Sequence, residues 1–339
     1  MGGIKKAPSR LINHLTDILI KRSKRTTRGY VLVRALSFLF YVWVRCFAKI
    51  QRKYDNKEKI KCYEKKEYNS APLPFQGQKR KFAKEFAKVL QQYPDDTVFV
   101  DLFGGSGLLS HITKCQKPNA AVVYNDFDNY RQRLAHISQT NELLAAIREI
   151  LKDVPRSKMV RGELRQAVID TIKRHEKRYG YVDYITLSSS IMFSMKYCTN
   201  IDDLEKQGVY NRVRRGDFST CDGYLDGLTV VSADYKQLVE QYKDVPNVVF
   251  IIDPPYLSTD TASYNMNWQL SDYLDVLLLL FNHSFVYFTS NKSSIIELCE
   301  WIARNSGMNN PFERCNKVEM NTSMNYNSAY TDIMLYTTL

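Results

Sequence analysis

The sequence predicts an α/β protein with a doubly wound, mostly parallel sheet. Short apolar runs that read as strands alternate with stretches of helical period, and one run passes through a glycine turn directly into a helix. The first element in that order is "KRKFAKEFAKVLQQY" (79–93), with Phe82, Phe86 and Leu90 at i, i+4 and i+8, an amphipathic helix. "TVFVDLF" (97–103) follows as a strand, "GGSG" (104–107) as its turn, and "LLSHITK" opens the next helix. "AVVYNDFD" (121–128) is a second strand with acids at its end. Residues 130–220 read as mainly helical and carry many basic and aromatic side chains. Further strands are predicted at 228–234, 247–253, 284–291 and, last, 330–338. Neither an internal repeat nor a low-complexity run appears.

The 339 residues, 44% apolar and 25% charged, are enough for one large α/β domain with an insertion or for two domains, and the composition is that of a soluble globular protein. The seven cysteines are scattered without a CxxC spacing, which predicts reduced thiols in a cytoplasmic protein, with neither a disulfide framework nor a zinc site. Net charge is +12, and its location is informative. Residues 1–69 hold 18 of the 48 Lys and Arg and 5 of the 36 Asp and Glu, leaving 30 basic and 31 acidic residues for the rest. A basic N-terminal extension of this kind suits a polyanion or an anionic membrane surface; a solvated tail is the alternative. Within it, "YVLVRALSFLFYVWVRCFA" (Tyr30–Ala48) is apolar on all sides but is interrupted by Arg34 and Arg45. A spanning helix needs roughly 20 apolar residues with few charges, so a buried or interfacial helix is expected here in preference to a membrane anchor. The stretch lacks the small-residue cleavage site of a signal peptide.

Three constellations carry chemistry. In "DLFGGSGLLS" a strand runs into glycines and a helix, which lets a ligand approach the backbone and aims the helix N-terminus at it. FGGSG is not a full GxGxxG fingerprint, and a plain tight turn has the same sequence. In "YNDFD", Asp126 falls about 20 residues after that turn, where an acid can bind ribose hydroxyls. Taken together the two favour an adenosine-containing ligand. In "VVFIIDPPYLSTD" (248–260) a buried strand ends in Asp253, Pro254, Pro255 and Tyr256. Ligands of open parallel sheets bind beyond the carboxyl ends of the strands. The prolines stiffen the backbone there, Asp253 and the Pro254 carbonyl can accept two hydrogen bonds from one exocyclic amine, and Tyr256 offers a face for a planar base. A purely local turn is the competing reading.

The order "PFQGQK", "DLFGGSG", "YNDFD", a basic insert and "DPPY" resembles the Dam-type DNA adenine methyltransferases, over residues 70–339. The resemblance implies a Rossmann-like sheet of the S-adenosylmethionine-dependent methyltransferase type, interrupted by a mainly helical target-recognition domain. The expected division is an extension at 1–69, a catalytic domain at 70–129 and 227–339, and the DNA-binding insert at 130–226. It implies S-adenosylmethionine held by Phe75, Lys79, Phe103, Gly105, Gly107, Asp126 and Asp253. Asp253, Pro254, Pro255 and Tyr256 would be catalytic. Gly77-Gln78 stands where the family more often has a glycine pair. "YNRVRRGDF" (210–218) looks like the family's DNA-reading run, which makes Arg212, Arg214 and Arg215 candidates for contact with double-stranded DNA. No metal is required, and a monomer, part of a restriction-modification or phage system or a housekeeping enzyme, is expected. Cytosine-N4 or RNA adenine methylation, or a catalytically silent nucleic-acid-binding module, are the alternatives; the leading Asp253 favours adenine, and an intact amine clamp speaks against a silent module.

Overall fold

The computed structural model describes residues 67–193, 196–255, 268–325 and 328–338. The Tyr30–Ala48 stretch, almost all of the basic extension and Tyr256 lie outside those residues. Residues 65–339 form one compact unit.

Among the described residues the chain begins with a 3-10 turn, Arg80–Phe82, leading into α1 (Ala83–Leu90). The first half of the sheet follows as β1 (Val98–Asp101), α2 (Leu108–Gln116) and β2 (Ala121–Asn125). Helices α3 (Tyr130–Ala135), α4 (Ile137–Ile150), α5 (Gly162–Tyr179), α6 (Tyr184–Ile191) and α7 (Ile201–Glu205) come next. Two short strands, β3 (Met159–Val160) between α4 and α5 and β4 (Val209–Tyr210) after α7, pair antiparallel. The sheet resumes with β5 (Thr229–Val231), α8 (Tyr235–Tyr242), β6 (Val248–Ile252), α9 (Leu270–Leu280), β7 (Ser284–Ser290) and α10 (Ile295–Ser306). It closes with β8 (Asn316–Asn325) and β9 (Ser328–Tyr336).

The seven strands lie in the order β5-β2-β1-β6-β7-β9-β8. β5, β2, β1, β6 and β7 are parallel, whereas β9 runs antiparallel to both β7 and β8. This is the doubly wound, mostly parallel α/β sheet that the alternation of elements predicts. The central strands are apolar throughout because both faces are covered. Val100, Phe250 and Ile252 point into one layer with α8, α9 and α10, while Phe99, Val249 and Ile251 point into the other with α1 and α2. The chain winds from β1 toward β2 on one side and from β6 toward β7 on the other, so the winding reverses between β1 and β6. Open α/β sheets bind ligands at such a reversal, beyond the strands' carboxyl ends.

β8 has no counterpart in the sequence reading. Its "NKVEMNTSMN" is rich in asparagine and charge, and among Asn316–Asn321 Val318 and Met320 turn partly inward, as an edge strand with one wet face requires. The helices between β2 and β5 gather a core of their own, with Leu144, Ile147, Val168, Ile172, Leu187, Ile191 and Leu204 all buried in one cluster.

Candidate active site

β1 and β6 pair in register from Val98↔Val248 to Asp101↔Ile251, and the Leu102 amide continues the ladder by donating to the Ile251 carbonyl at 3.0 Å. That register brings the Asp253-Pro254-Pro255 segment beside the glycine turn that follows β1. In the turn, the Gly107 amide donates to the Gly104 carbonyl at 2.7 Å, with φ of +48° at Gly105 and +69° at Gly107. A Cβ on Gly105 would stand 2.8 Å from the Phe75 ring, and one on Gly104 would stand 2.3 Å from the Tyr124 ring. Glycine is therefore demanded twice over, by backbone conformation and by two aromatic rings pressed against the turn. Phe103 packs on Tyr235 and Trp268, each at 5.3 Å between ring centroids.

Lys79 reaches across to this strand end. Its ammonium donates to Asp253 Oδ2 at 2.5 Å and to the Gly77 carbonyl at 2.8 Å. The lysine side chain is 8% exposed and the aspartate 18%. Burial pushes the Asp253 carboxyl above the usual carboxylate range, and the Lys79 charge pulls it back. Pro254 and Pro255 are buried, and the Tyr273 hydroxyl donates to the Pro255 carbonyl in a close contact. The segment's backbone is thus anchored from α9.

Asp126 follows β2 and is 5% exposed. Its Oδ1 accepts from the Tyr130 amide at 2.6 Å and its Oδ2 from the Arg131 amide at 3.0 Å, so it caps α3 while holding one further acceptor direction on Oδ2. The Tyr124 hydroxyl lies 3.0 Å from Asp126 Oδ1 and 2.8 Å from the Gly105 carbonyl, linking this acid to the glycine turn. Asn125 ties three strand ends, donating to the Leu102 and Ala233 carbonyls at 2.9 Å each and accepting from the Ala233 amide at 3.1 Å.

Asp101 was not among the candidates from sequence. It is fully buried at the end of β1, with Ser110 donating to its Oδ2 at 2.7 Å, while its Oδ1 has no hydrogen-bond partner among the described residues. Burial raises its pKa to about 7; the Ser110 hydroxyl and the Phe103 and Ser110 backbone amides facing the carboxyl oppose this, and the Asp253 charge adds to it. The available signal was an acid at the end of a buried strand directly before the glycines, the same signal that singled out Asp253.

Phe75, Lys79, Phe103, Gly105, Gly107, Asp126 and Asp253 are therefore linked through the turn and the two strand ends. Arg212, Arg214 and Arg215 form a second group, on the insert after β4. Arg212 donates to the Met192 carbonyl at 3.3 Å, the Arg214 guanidinium lies 3.9 Å over the Phe218 ring, and Arg215 is exposed. Among the described residues no cluster of His, Cys, Asp and Glu is placed to hold a metal ion, and no helix is long and apolar enough to cross a membrane.

A parallel sheet with its winding reversed beside a glycine turn, flanked by helices on both faces, is the Rossmann-like fold of the methyltransferases. Residues 75–285 match the family model of the D12 class N6 adenine-specific DNA methyltransferases, and the chain belongs to that family. It is also 35% identical over 280 residues to a Haemophilus influenzae protein named "Putative methyltransferase", a match that covers 80% of this chain and 93% of that one. Family membership indicates a DNA adenine-N6 methyltransferase.

Proposed function

We propose that the protein is of the Dam type, takes S-adenosylmethionine as methyl donor and methylates N6 of an adenine turned out of duplex DNA. The observation that carries this reading is the Asp253-Pro254 strand end, fixed beside the Gly104–Gly107 turn by the β1–β6 register and by Lys79. The residues present fit the cofactor: the turn is a cradle that a Cβ would fill, and the buried Asp126 is linked to it through Tyr124. Phe75, Phe103, Gly105, Gly107 and Asp126 would hold it, with Lys79 and Asp253 at its reactive end. When bound, it supplies a methyl group on a positively charged sulfur.

The chain's own task is to make a poor nucleophile attack. The adenine amine delocalises its lone pair into the ring. Hydrogen bonds from that amine to Asp253 and to the Pro254 carbonyl localise the pair and orient it for in-line displacement. Lys79 keeps the Asp253 carboxyl an acceptor against the pull of burial. Turning the base out costs a few kcal/mol, and stacking on Tyr256 would return about 1–3 kcal/mol of it. The insert at 130–226, joined to the catalytic segments 70–129 and 227–339, would read the surrounding sequence.

The test is expression in a strain free of DNA methylation, with sequencing of modified bases beside an Asp253→Ala control. N6-methyladenine at one short site, lost in the control, is the expected result. Methylcytosine at N4, methylation confined to RNA, or an Asp253→Ala protein with wild-type turnover would each overturn the reading.

A further inference from the structure

The three insert arginines sit on a loop whose backbone is held by two others. Arg148, on α4, donates to the Arg215 carbonyl at 2.8 Å, the Arg214 carbonyl at 3.5 Å and Asp217 Oδ1 at 2.5 Å. Arg156 donates to the Arg212 carbonyl at 3.5 Å and, in a close contact, to the Val213 carbonyl. Four consecutive carbonyls are thus bound by two guanidinium groups: Arg156 sets one carbonyl on each prong, and Arg148 sets the Arg214 and Arg215 carbonyls on one prong and Asp217 on the other. The loop's ends are pinned as well: Asn211 donates to the Leu151 and Val154 carbonyls at 3.2 and 2.6 Å, and Asn141 bonds both the amide and the carbonyl of Phe218 at 2.8 and 2.9 Å. With its carbonyls turned inward, the loop presents Arg215 and Gly216 to solvent, and nothing lies within 4 Å of where a Gly216 Cβ would be.

Arg148 and Arg156 spend donors on peptide carbonyls in a geometry only a planar fork provides, since a lysine ammonium has no such fixed pair. The arrangement also gathers five guanidinium groups around one loop, with Asp217 accepting from Arg148. A polyanion would relieve that repulsion. Resting on the proposed DNA-reading role of the insert, we infer that Arg148 and Arg156 are positioning residues for sequence preference: they shape the loop so that Arg215 reaches the DNA, and do not themselves hold phosphates.

The charge-preserving variants Arg148→Lys and Arg156→Lys separate the two roles, because a phosphate holder tolerates lysine and a fork does not. kcat/KM is measured on the preferred duplex and on duplexes changed at one base pair, for wild type, both variants and Arg215→Ala. Each lysine variant should lose about tenfold in discrimination at the base pair where Arg215→Ala loses it. Cofactor affinity and melting temperature of Arg215→Ala should match wild type, which keeps the comparison meaningful should a lysine variant fold poorly. Unchanged discrimination in the lysine variants, equal loss on every duplex, or loss at a base pair that Arg215→Ala does not affect would overturn the inference. A wild-type protein inactive on all duplexes would instead strike at the proposed function.

Discussion

The strand-end site and the arginine loop of the insert solve the same problem, holding polar groups still, by opposite means. At the strand ends, topology does it. β1, β6 and β2 finish side by side, so Asp101, Asp253 and Asp126 arrive near one glycine turn as a consequence of register. On the insert nothing so general operates. The Arg212–Arg215 backbone is fixed by side chains 56 to 67 residues away in sequence. A strand-end site changes only if the sheet changes, whereas a clamped loop can be re-aimed by one substitution. Under the proposed function, chemistry common to all substrates falls to the first and choice among substrates to the second.

The largest expected effect lies where the two regions join. Arg133, on α3, is buried and donates to Asp183 Oδ1 at 3.0 Å and Thr186 Oγ1 at 3.1 Å on the insert side, and to the Pro74 carbonyl at 2.7 Å next to Phe75. Arg133→Met leaves the buried Asp183 carboxylate without its charge partner and should cost about 3–5 kcal/mol in denaturant unfolding. A loss under about 1 kcal/mol would mean that the regions are stabilised independently, which sharpens the contrast drawn above.

A smaller effect is expected within the catalytic region. Asp126→Ala removes a cap that serves two amides of α3 and should lower stability by about 1–2 kcal/mol. It should also weaken S-adenosylmethionine by about 1–3 kcal/mol, read by calorimetric titration. A stability loss with unaltered cofactor affinity would make this acid a cap alone.

The same contrast decides what could be read from the sequence. Buried parallel strands announce themselves as apolar runs, and residues at their ends inherit a location from the fold class, so Asp253, Asp126 and the glycines could be placed without a structure. The clamp could not be. Arg148 lies in an unremarkable helix and Arg156 in a loop, and neither spacing nor period links them to Arg212–Arg215. β8 escaped for a related reason: Val318 and Met320 turn partly inward among polar residues, and its identity comes from pairing with β9. Lys79 was placed from the family resemblance as a cofactor contact, yet its ion pair with Asp253 spans 174 residues and is visible only in three dimensions.

The last prediction concerns Asp101, and pH reveals it. Its carboxyl holds a proton up to about pH 7 in the folded protein, whereas the ordinary value is 3.8. Between those values the native state binds a proton that the unfolded chain has released, so stability falls as pH rises, by up to about 1.4 kcal/mol per unit. The contribution is complete below pH 3.8 and gone above about 7. Asp101→Asn keeps the shape and removes the titration. The difference in unfolding free energy between wild type and this variant should therefore slope downward from pH 5 to 6.5 and level off by pH 8. Parallel curves would show that the carboxyl is ionised throughout. Repeating the series with saturating S-adenosylmethionine tests whether the cofactor reaches this carboxyl: a ligand that brings a donor to it lowers the folded-state pKa and flattens the slope. A slope unchanged by ligand would place Asp101 behind the site, a buried strand-end acid that the cofactor does not touch.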